Sequence, residues 1–340
     1  MAAHPAPWAV AVSGGGDSAA LMHLAAAYAK ANKLPLPVVL TVDHGLRPGS
    51  AKASKQVVSW AKQAGLKAQL LTWRGKKPKS GIEAAAREAR YRLMGAWLGK
   101  NKITTLLVGH NQDDQAETFL LRLARGSGLD GLAGMRMRAP WPLPDFAALV
   151  VARPLLNLRR DDLRAYLKAR GLAWLEDPMN DDTAFDRVKM RNARTVLSEV
   201  GITPSRIAAA AAHLARARES LEIATEAVLQ RAVRVDKAHP DQKRVLVDSG
   251  ALAAAPRELG LRSLASILMV VGRQPYRPRF VSLERIFDQI AGGGLGGGAT
   301  LHGCRIRPLS SKAKDFVSFD LAVEPESPRK TGGSATRRNR

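Results

Sequence analysis

Short apolar runs recur along the first half of the chain, each closed by polar or glycine-rich punctuation. Residues 8–12, 38–42, 68–73, 103–108 and 151–156 have the length and apolar content of buried strands. Between them, residues 19–31, 51–65, 81–98 and 161–170 place apolar side chains at helical spacing. Strands alternating with helices predict an α/β fold with a doubly wound, mostly parallel sheet. The second half reads differently. An alanine-rich helix is expected from Ser205 to about Val235, then helices over 256–272 and 279–290. Residues 292–298 are nearly all glycine, a hinge or hairpin tip, and a strand follows over 301–307. This pattern predicts a smaller, mainly helical C-terminal domain. The expected division is a first domain over 1–203, a helical connector and second domain over 204–325, and a disordered basic tail over 326–340.

The polar punctuation carries the candidate chemistry, because ligands of parallel sheets gather beyond the carboxyl ends of the strands. The first run ends in Ser13-Gly14-Gly15-Gly16-Asp17-Ser18. Glycines between a strand and a helix let a phosphate approach backbone N–H groups, and the helix start adds partial positive charge. The loop lacks the Gly-Lys-Ser/Thr ending of a Walker A motif and the spacing of a dinucleotide fingerprint. The second run ends in Asp43-His44-Gly45, either a capped turn or part of the same site. Residues 81–98 carry Glu83, Arg87 and Arg90 on one helical face, with Arg92 roughly opposite.

The fourth run ends in Gly109-His110-Asn111-Gln112-Asp113-Asp114-Gln115-Ala116-Glu117-Thr118. Asp113 is placed to cap the next helix, while Phe119, Leu120 and Leu123 are available to its core face. Asp114 and Glu117, three apart, share a face of the first turn. Buried carboxylates need a cation, which a metal or a cationic substrate amine would supply; solvent-exposed acids at a helix start are the plainer alternative. Residues 126–135 are glycine-rich and irregular, the pattern of a mobile loop over a site.

Charge narrows the partner class. The 53 Lys and Arg against 30 Asp and Glu give +23, a surface suited to polyanions, nucleic acid first. The single cysteine, Cys304, excludes an internal disulfide and any cysteine-cluster metal site within one chain. No apolar run reaches the roughly 18 residues of a membrane span, and the N-terminal apolar run leads straight into the glycine loop. A cytoplasmic protein with no membrane partner is expected.

SGGGDS at the end of the first strand resembles the PP-loop of the ATP pyrophosphatases. VDHGLR, E-x-x-x-R-x-x-R-Y, GHNQDDQAET, RGSGLDGLAGM, RPLL and WLEDPMND follow it in order. Together these motifs resemble the tRNA(Ile)-lysidine synthetases, closely over about residues 8–200 and loosely over 245–310. One departure is Arg187-Val188, where many members read Arg-Asn; here Arg191-Asn192 comes four residues later.

The resemblance implies ATP, L-lysine and a tRNA(Ile) with a CAU anticodon as substrates, Mg²⁺ as cofactor, and suggests a homodimer. It implies that the 2-oxo group of the wobble cytidine attacks the α-phosphate of ATP, and that the lysine ε-amine then displaces AMP. Ser13, Gly14, Gly15, Gly16, Asp17 and Ser18 would hold the nucleotide. Asp17, Asp114 and Glu117 would carry the chemistry, Asp114 and Glu117 also holding lysine. Asp43, His44, Arg87, Arg90 and His110 would contact substrates. No residue is assigned to the metal beyond Asp17, which would position either metal or base. A tRNA thiolase of the superfamily needs cysteines near its motifs, which this chain lacks. The rivals are another adenylating PP-loop ligase and a catalytically silent RNA-binding protein.

Overall fold

In the computed structural model, residues 7–78, 80–176, 196–237, 244–309 and 319–326 are described. The last five residues of WLEDPMND, the Arg187-Val188 departure and residues 327–340 of the expected tail lie outside them. The chain forms two compact units, residues 1–216 and 217–340. The change of unit falls inside the long helix Pro204–Ala232.

The first unit holds a six-stranded sheet of β1 (Trp8–Ala11), β2 (Val38–Asp43), β3 (Ala68–Thr72), β4 (Thr105–Leu107), β5 (Arg138–Pro140) and β6 (Val150–Ala152). Their order is β3-β2-β1-β4-β6-β5, and only β5 runs antiparallel to its neighbour. The expected doubly wound sheet is what the chain builds. Its helices are α1 (Gly16–Ala31), α2 (Ser50–Gln63), α3 (Ile82–Lys100), α4 (Gln112–Ala124), α5 (Leu129–Leu132) and α6 (Arg160–Ala169).

Alternation along β1 sorts the two cores. Trp8, Val10 and Val12 pack with Leu21 and Met22 of α1, Val57 of α2 and Leu163 and Leu167 of α6. Ala9 faces the other way, with Tyr91, Met94 and Leu98 of α3 and Trp141. The chain winds outward from β1 to β3, then crosses back to place β4 on the other flank of β1. The topological switch therefore lies between β1 and β4, where a ligand crevice is expected.

Four local outcomes differ from the sequence pattern. β5 is an edge strand whose three residues carry no periodicity and include Pro140, tolerated at an edge. Residues 126–135 contain the helical turn α5, and Arg122 donates to the carbonyls of Gly131 and Gly134. The long helix ends at Ala232, three residues short of Val235, because Val233–Val235 pairs as β7. The expected strand over 301–307 is a hairpin of β9 (Ala299–Leu301) and β10 (Cys304–Pro308). His302 (φ 57) and Gly303 (φ 74) make its two-residue turn with left-handed backbone, as such tight hairpins require.

The second unit is mainly helical, as the pattern predicts, and adds an antiparallel sheet ordered β7-β8-β11-β10-β9. Its strands β7 (Val233–Val235), β8 (Val245–Val247) and β11 (Leu321–Pro325) join the hairpin. Helices Arg257–Val271 and Phe280–Ala291 bury Leu264, Leu268, Ile286 and Phe287 with Val247, Ile306 and Val323 of the sheet.

Candidate active site

The glycine loop leaves β1 and turns at Gly14, whose φ of +100° few side chains adopt. α1 begins at Gly16, three residues earlier than the periodicity suggests, so Asp17 and Ser18 sit in its first turn. Ser18 Oγ donates to the Gly15 carbonyl at 2.9 Å and accepts from the Ser13 N–H at 3.2 Å, while the two serine hydroxyls lie 3.2 Å apart. The loop is thereby closed on itself with its first-turn N–H groups at a helix start, the arrangement that binds phosphate. Leu175 N–H donates to the Gly14 carbonyl at 2.8 Å, and Trp174 packs beside Gly16, so two residues of WLEDPMND clamp the loop from outside.

A Cβ at position 14 would lie 2.8 Å from Leu175 Cδ1 as well as strain the backbone. Gly14→Ala should therefore lose about 1–3 kcal/mol of stability and raise the KM for ATP, checked by chemical denaturation and ATP titration. Unchanged values in both would contradict the assigned loop geometry.

β4 delivers its acidic motif to the same place. Gly109 approaches so closely that a Cβ there would sit 3.0 Å from the Asp17 carbonyl carbon and the Ser18 nitrogen. α4 is capped by Asn111, not by Asp113: Asn111 accepts from the Asp114 N–H and donates its own N–H to Asp114, both at 3.0 Å. Asp113 instead accepts from the backbone N–H of Arg160 at 2.9 Å, capping α6 across the unit. The buried face of α4 is Asp113, Ala116 and Glu117, while Phe119 and Leu120 are half-buried and Leu123 is 52% exposed. The helix turns its acids inward, the reverse of the expected core face.

The cation those acids need is Arg160, the first residue of α6, which the sequence pattern did not single out. Its guanidinium donates from Nη2 to Asp114 Oδ1 at 3.0 Å, from Nε to Asp17 Oδ2 at 3.3 Å and from Nη1 to Glu117 Oε1 at 3.5 Å. Glu117 is only 3% exposed, so its charge depends on such partners. Burial pushes the Asp17 carboxyl up, opposed by Arg160, Asn111 and Arg164. Burial likewise lifts Asp114, to about 6, with Arg160 opposing and Glu117 and Asp17 adding to the rise. Burial alone would lower Arg160, but Asp114, Asp17, Glu117 and Asp113 together raise it.

A second cluster is cationic. Asp43 Oδ1 accepts from the Gly45 N–H at 2.9 Å, forming the expected turn, and Gly45 is left-handed (φ 60). His44 stands edge-on to Trp73, ring centroids 6.1 Å apart, and Lys77 lies over the Trp73 ring. Burial lowers the His44 pKa, and Arg90 and Lys77 lower it further against Asp43. Arg87 and Arg90 lie over the Tyr91 ring at 5.1 and 5.8 Å. Arg153, the arginine of RPLL, donates from Nε to His110 Nδ1 at 3.2 Å and from Nη1 to the Arg136 carbonyl at 2.9 Å. Burial lowers Arg153, and nearby Arg87 adds to this. His44 is thus brought to Arg90, and His110 to Arg153. Arg153 follows the β6 strand end in the RPLL motif, to which the sequence pattern assigns no role.

Among the described residues no three His, Cys, Asp or Glu form a metal-binding group. Asp17 Oδ1 is buried and makes no hydrogen bond, so a single carboxylate oxygen stands ready for a cation. That fits Mg²⁺, which is commonly held by one or two carboxylates together with substrate phosphates.

A family model described as a PP-loop domain matches residues 3–197. The tRNA(Ile)-lysidine synthase of Wolbachia pipientis wMel is 40% identical over 300 residues, covering 88% of this chain and 68% of its own length. That of Bradyrhizobium diazoefficiens is 41% identical over 270 residues, covering 78% of this chain and 73% of its own. That of Bradyrhizobium sp. strain BTAi1 is 36% identical over 336 residues, covering 95% and 91%. Among solved structures, the U34-tRNA thiolase NcsA of Methanococcus maripaludis is similar in fold, with TM-score 0.50 and 17% identity over 63% of this chain and 71% of its own. With a closed phosphate loop at the switch point, carboxylates gathered beside it, and these relatives spanning most of its length, the chain belongs to the tRNA(Ile)-lysidine synthase family.

Proposed function

We propose that the protein ligates L-lysine to C2 of the wobble cytidine of a tRNA(Ile) with a CAU anticodon, consuming ATP and releasing AMP and pyrophosphate. The observation that carries this reading is the set of carboxylates beside the phosphate loop. Asp17, Asp114 and Glu117 share one guanidinium, and Asp113 accepts from the backbone N–H of the same arginine. Carboxylates gathered in this way suit a lysine ammonium and Mg²⁺. Further family expectations, a homodimer and a cytoplasmic location, are part of the proposal. No helix among the described residues is long and apolar enough to cross a membrane.

In this reading the first-turn N–H groups of α1 and the hydroxyls of Ser13 and Ser18 hold the phosphates. Mg²⁺ beside Asp17 would stabilise charge on the departing pyrophosphate. The cytidine 2-oxo oxygen bonds to the α-phosphorus as the bond to pyrophosphate breaks. The lysine ε-nitrogen then bonds to C2, AMP leaves with the former 2-oxo oxygen, and the amine loses a proton. Asp114 and Glu117 hold lysine, and Asp114, with its pKa at about 6, is a stronger base than an ordinary carboxylate. Arg87 and Arg90 form the cationic side, with His44 and His110 beside them, that contacts the nucleotide or tRNA. Asp43 shapes that side through its turn. Cys304 is buried, donates to the Leu268 carbonyl and has its thiol pushed up to about 11 by burial, so it does not supply a thiolate.

ATP–pyrophosphate exchange tests the reaction class. Exchange that requires tRNA but not lysine is the expected result. Exchange without tRNA would indicate a ligase adenylating a small acid, and no exchange under either condition would indicate a silent RNA-binding protein.

The raised pKa of Asp114 makes two pH effects. Folding lifts it from 3.8 to about 6, so the folded protein binds the proton more tightly than the unfolded chain. Its contribution to stability therefore falls as pH climbs through that window. Lysine capture moves the other way, since only the ionised carboxylate attracts an ammonium. The Kd for lysine should fall as pH rises through about 6, and Asp114→Asn should flatten that limb in isothermal titration.

A further inference from the structure

Arg153 is 9% exposed, and among the described residues no carboxylate pairs with it. Besides burial, the groups that weigh on its charge are Tyr91 and Arg87, the second of like sign. A buried guanidinium is costly unless its donors are met, and an acid is the ordinary partner. Here the acceptors are neutral: the Arg136 carbonyl on Nη1 at 2.9 Å and His110 Nδ1 on Nε at 3.2 Å. The Arg153 backbone N–H also donates to the Met137 carbonyl at 2.8 Å. Residues 136 and 137 thus hold both ends of this arginine, and its Nε is set against one imidazole nitrogen.

That contact fixes the state of the histidine. A guanidinium has donors only, so His110 Nδ1 has to supply a lone pair. The ring is then neutral, with its proton on Nε2. For Nε2 to act as a base the ring proton must first move to Nδ1, which turns two donors against each other. Taking a further proton would then create an imidazolium 3.2 Å from a guanidinium, a like-charge pair. His110 follows Gly109, which packs against the backbone of Asp17 and Ser18, so it leaves β4 beside the phosphate loop.

We propose that Arg153 is a positioning residue that locks His110 as a neutral Nε2–H donor to an anionic phosphate oxygen of the nucleotide. The neighbouring phosphate loop and the cations Arg153 and Arg87 select an anion at this place. A preorganised donor offsets charge on the phosphate that departs with AMP and transfers no proton itself. The inference deepens the proposed reaction and rests on it: the proton shed by the lysine ε-nitrogen goes to a carboxylate, not to His110.

The test is ¹⁵N NMR of the full chain with labelled histidine, the His110 signals being assigned by their loss in His110→Asn. The parent should show a protonated Nε2 and a bare Nδ1. Arg153→Met removes the donor and should bring the two shifts towards each other, as the Nδ1–H form becomes populated. A parent ring protonated on Nδ1 would overturn the proposal, and so would an Arg153→Met spectrum identical to the parent's. Lysine transfer tests the donor role separately. Glutamine offers an amide N–H close to the place of the histidine Nε2–H but takes up no proton, and asparagine is too short. His110→Gln should keep kcat within about tenfold of the parent, whereas His110→Asn should lower it roughly 100-fold or more. The KM for lysine should hold in both. Equal losses in kcat would remove the donor role, and this pair decides it even where Arg153→Met does not fold. The expected parent spectrum from a protein that transfers no lysine would leave the lock on His110 standing and remove the assigned reaction.

Discussion

Replacing Arg160 with methionine should cost about 3–5 kcal/mol of folding stability, the loss expected when one member of a buried charge cluster is removed. The guanidinium is the shared partner of Asp17, Asp114 and Glu117, and its backbone N–H is held by Asp113. Methionine keeps most of the volume and leaves three carboxylates facing one another. Asp17 and Asp114, already pushed up by burial and held down by Arg160, would rise further and hold protons. The stability gap between parent and variant should therefore be widest near neutral pH and narrow as the solution is acidified towards pH 5. Urea denaturation across that range measures it. A gap that stays constant with pH would show that the loss comes from packing and not from charge. Arg160→Lys restores the charge but not the three-way fork, so it should recover part of the stability only.

The second large effect is on lysine. Glu117→Gln and Asp114→Asn each remove one charge from the set proposed to hold the lysine cation. Charge-assisted hydrogen bonds are worth roughly 1.5–3 kcal/mol, so the KM for lysine should rise about 10- to 100-fold in either variant. The KM for ATP should move far less, because the phosphate loop is closed by its own serines. Tritiated lysine transfer at saturating ATP and tRNA separates the two parameters. A variant that loses ATP affinity while lysine affinity holds would reassign the carboxylates to the nucleotide.

Much of this site lies within reach of local pattern. The strand runs, the glycine loop and the pair Asp114/Glu117 each sit in one contiguous stretch, where period and spacing carry the information. Arg160 does not. It acts 43 residues from Glu117 and 143 from Asp17, and on a chain with 53 basic residues one more arginine carries no signal by itself. One local clue was present: an arginine at the first position of a helix sits at the positive end of its dipole, where cations are disfavoured. Such a residue implies compensation from elsewhere, and the four acids provide it. Asp113 and Leu123 depart from the pattern for a related reason. α4 buries an acidic face, so assigning the apolar residues to the core inverts it. In the second unit, the hairpin turn at His302-Gly303 divides what periodicity alone reads as one strand, because a two-residue loop interrupts the apolar pattern so briefly.

The most direct test of the assigned reaction is transfer of radiolabelled lysine, with ATP and Mg²⁺, to a tRNA(Ile) transcript carrying a CAU anticodon, beside the same transcript with its wobble cytidine changed to uridine. Label on the cytidine transcript alone, lost on omitting ATP, is the predicted result. No label on either transcript, from protein that binds both ATP and tRNA tightly, would contradict the lysine assignment and point to a different nucleophile.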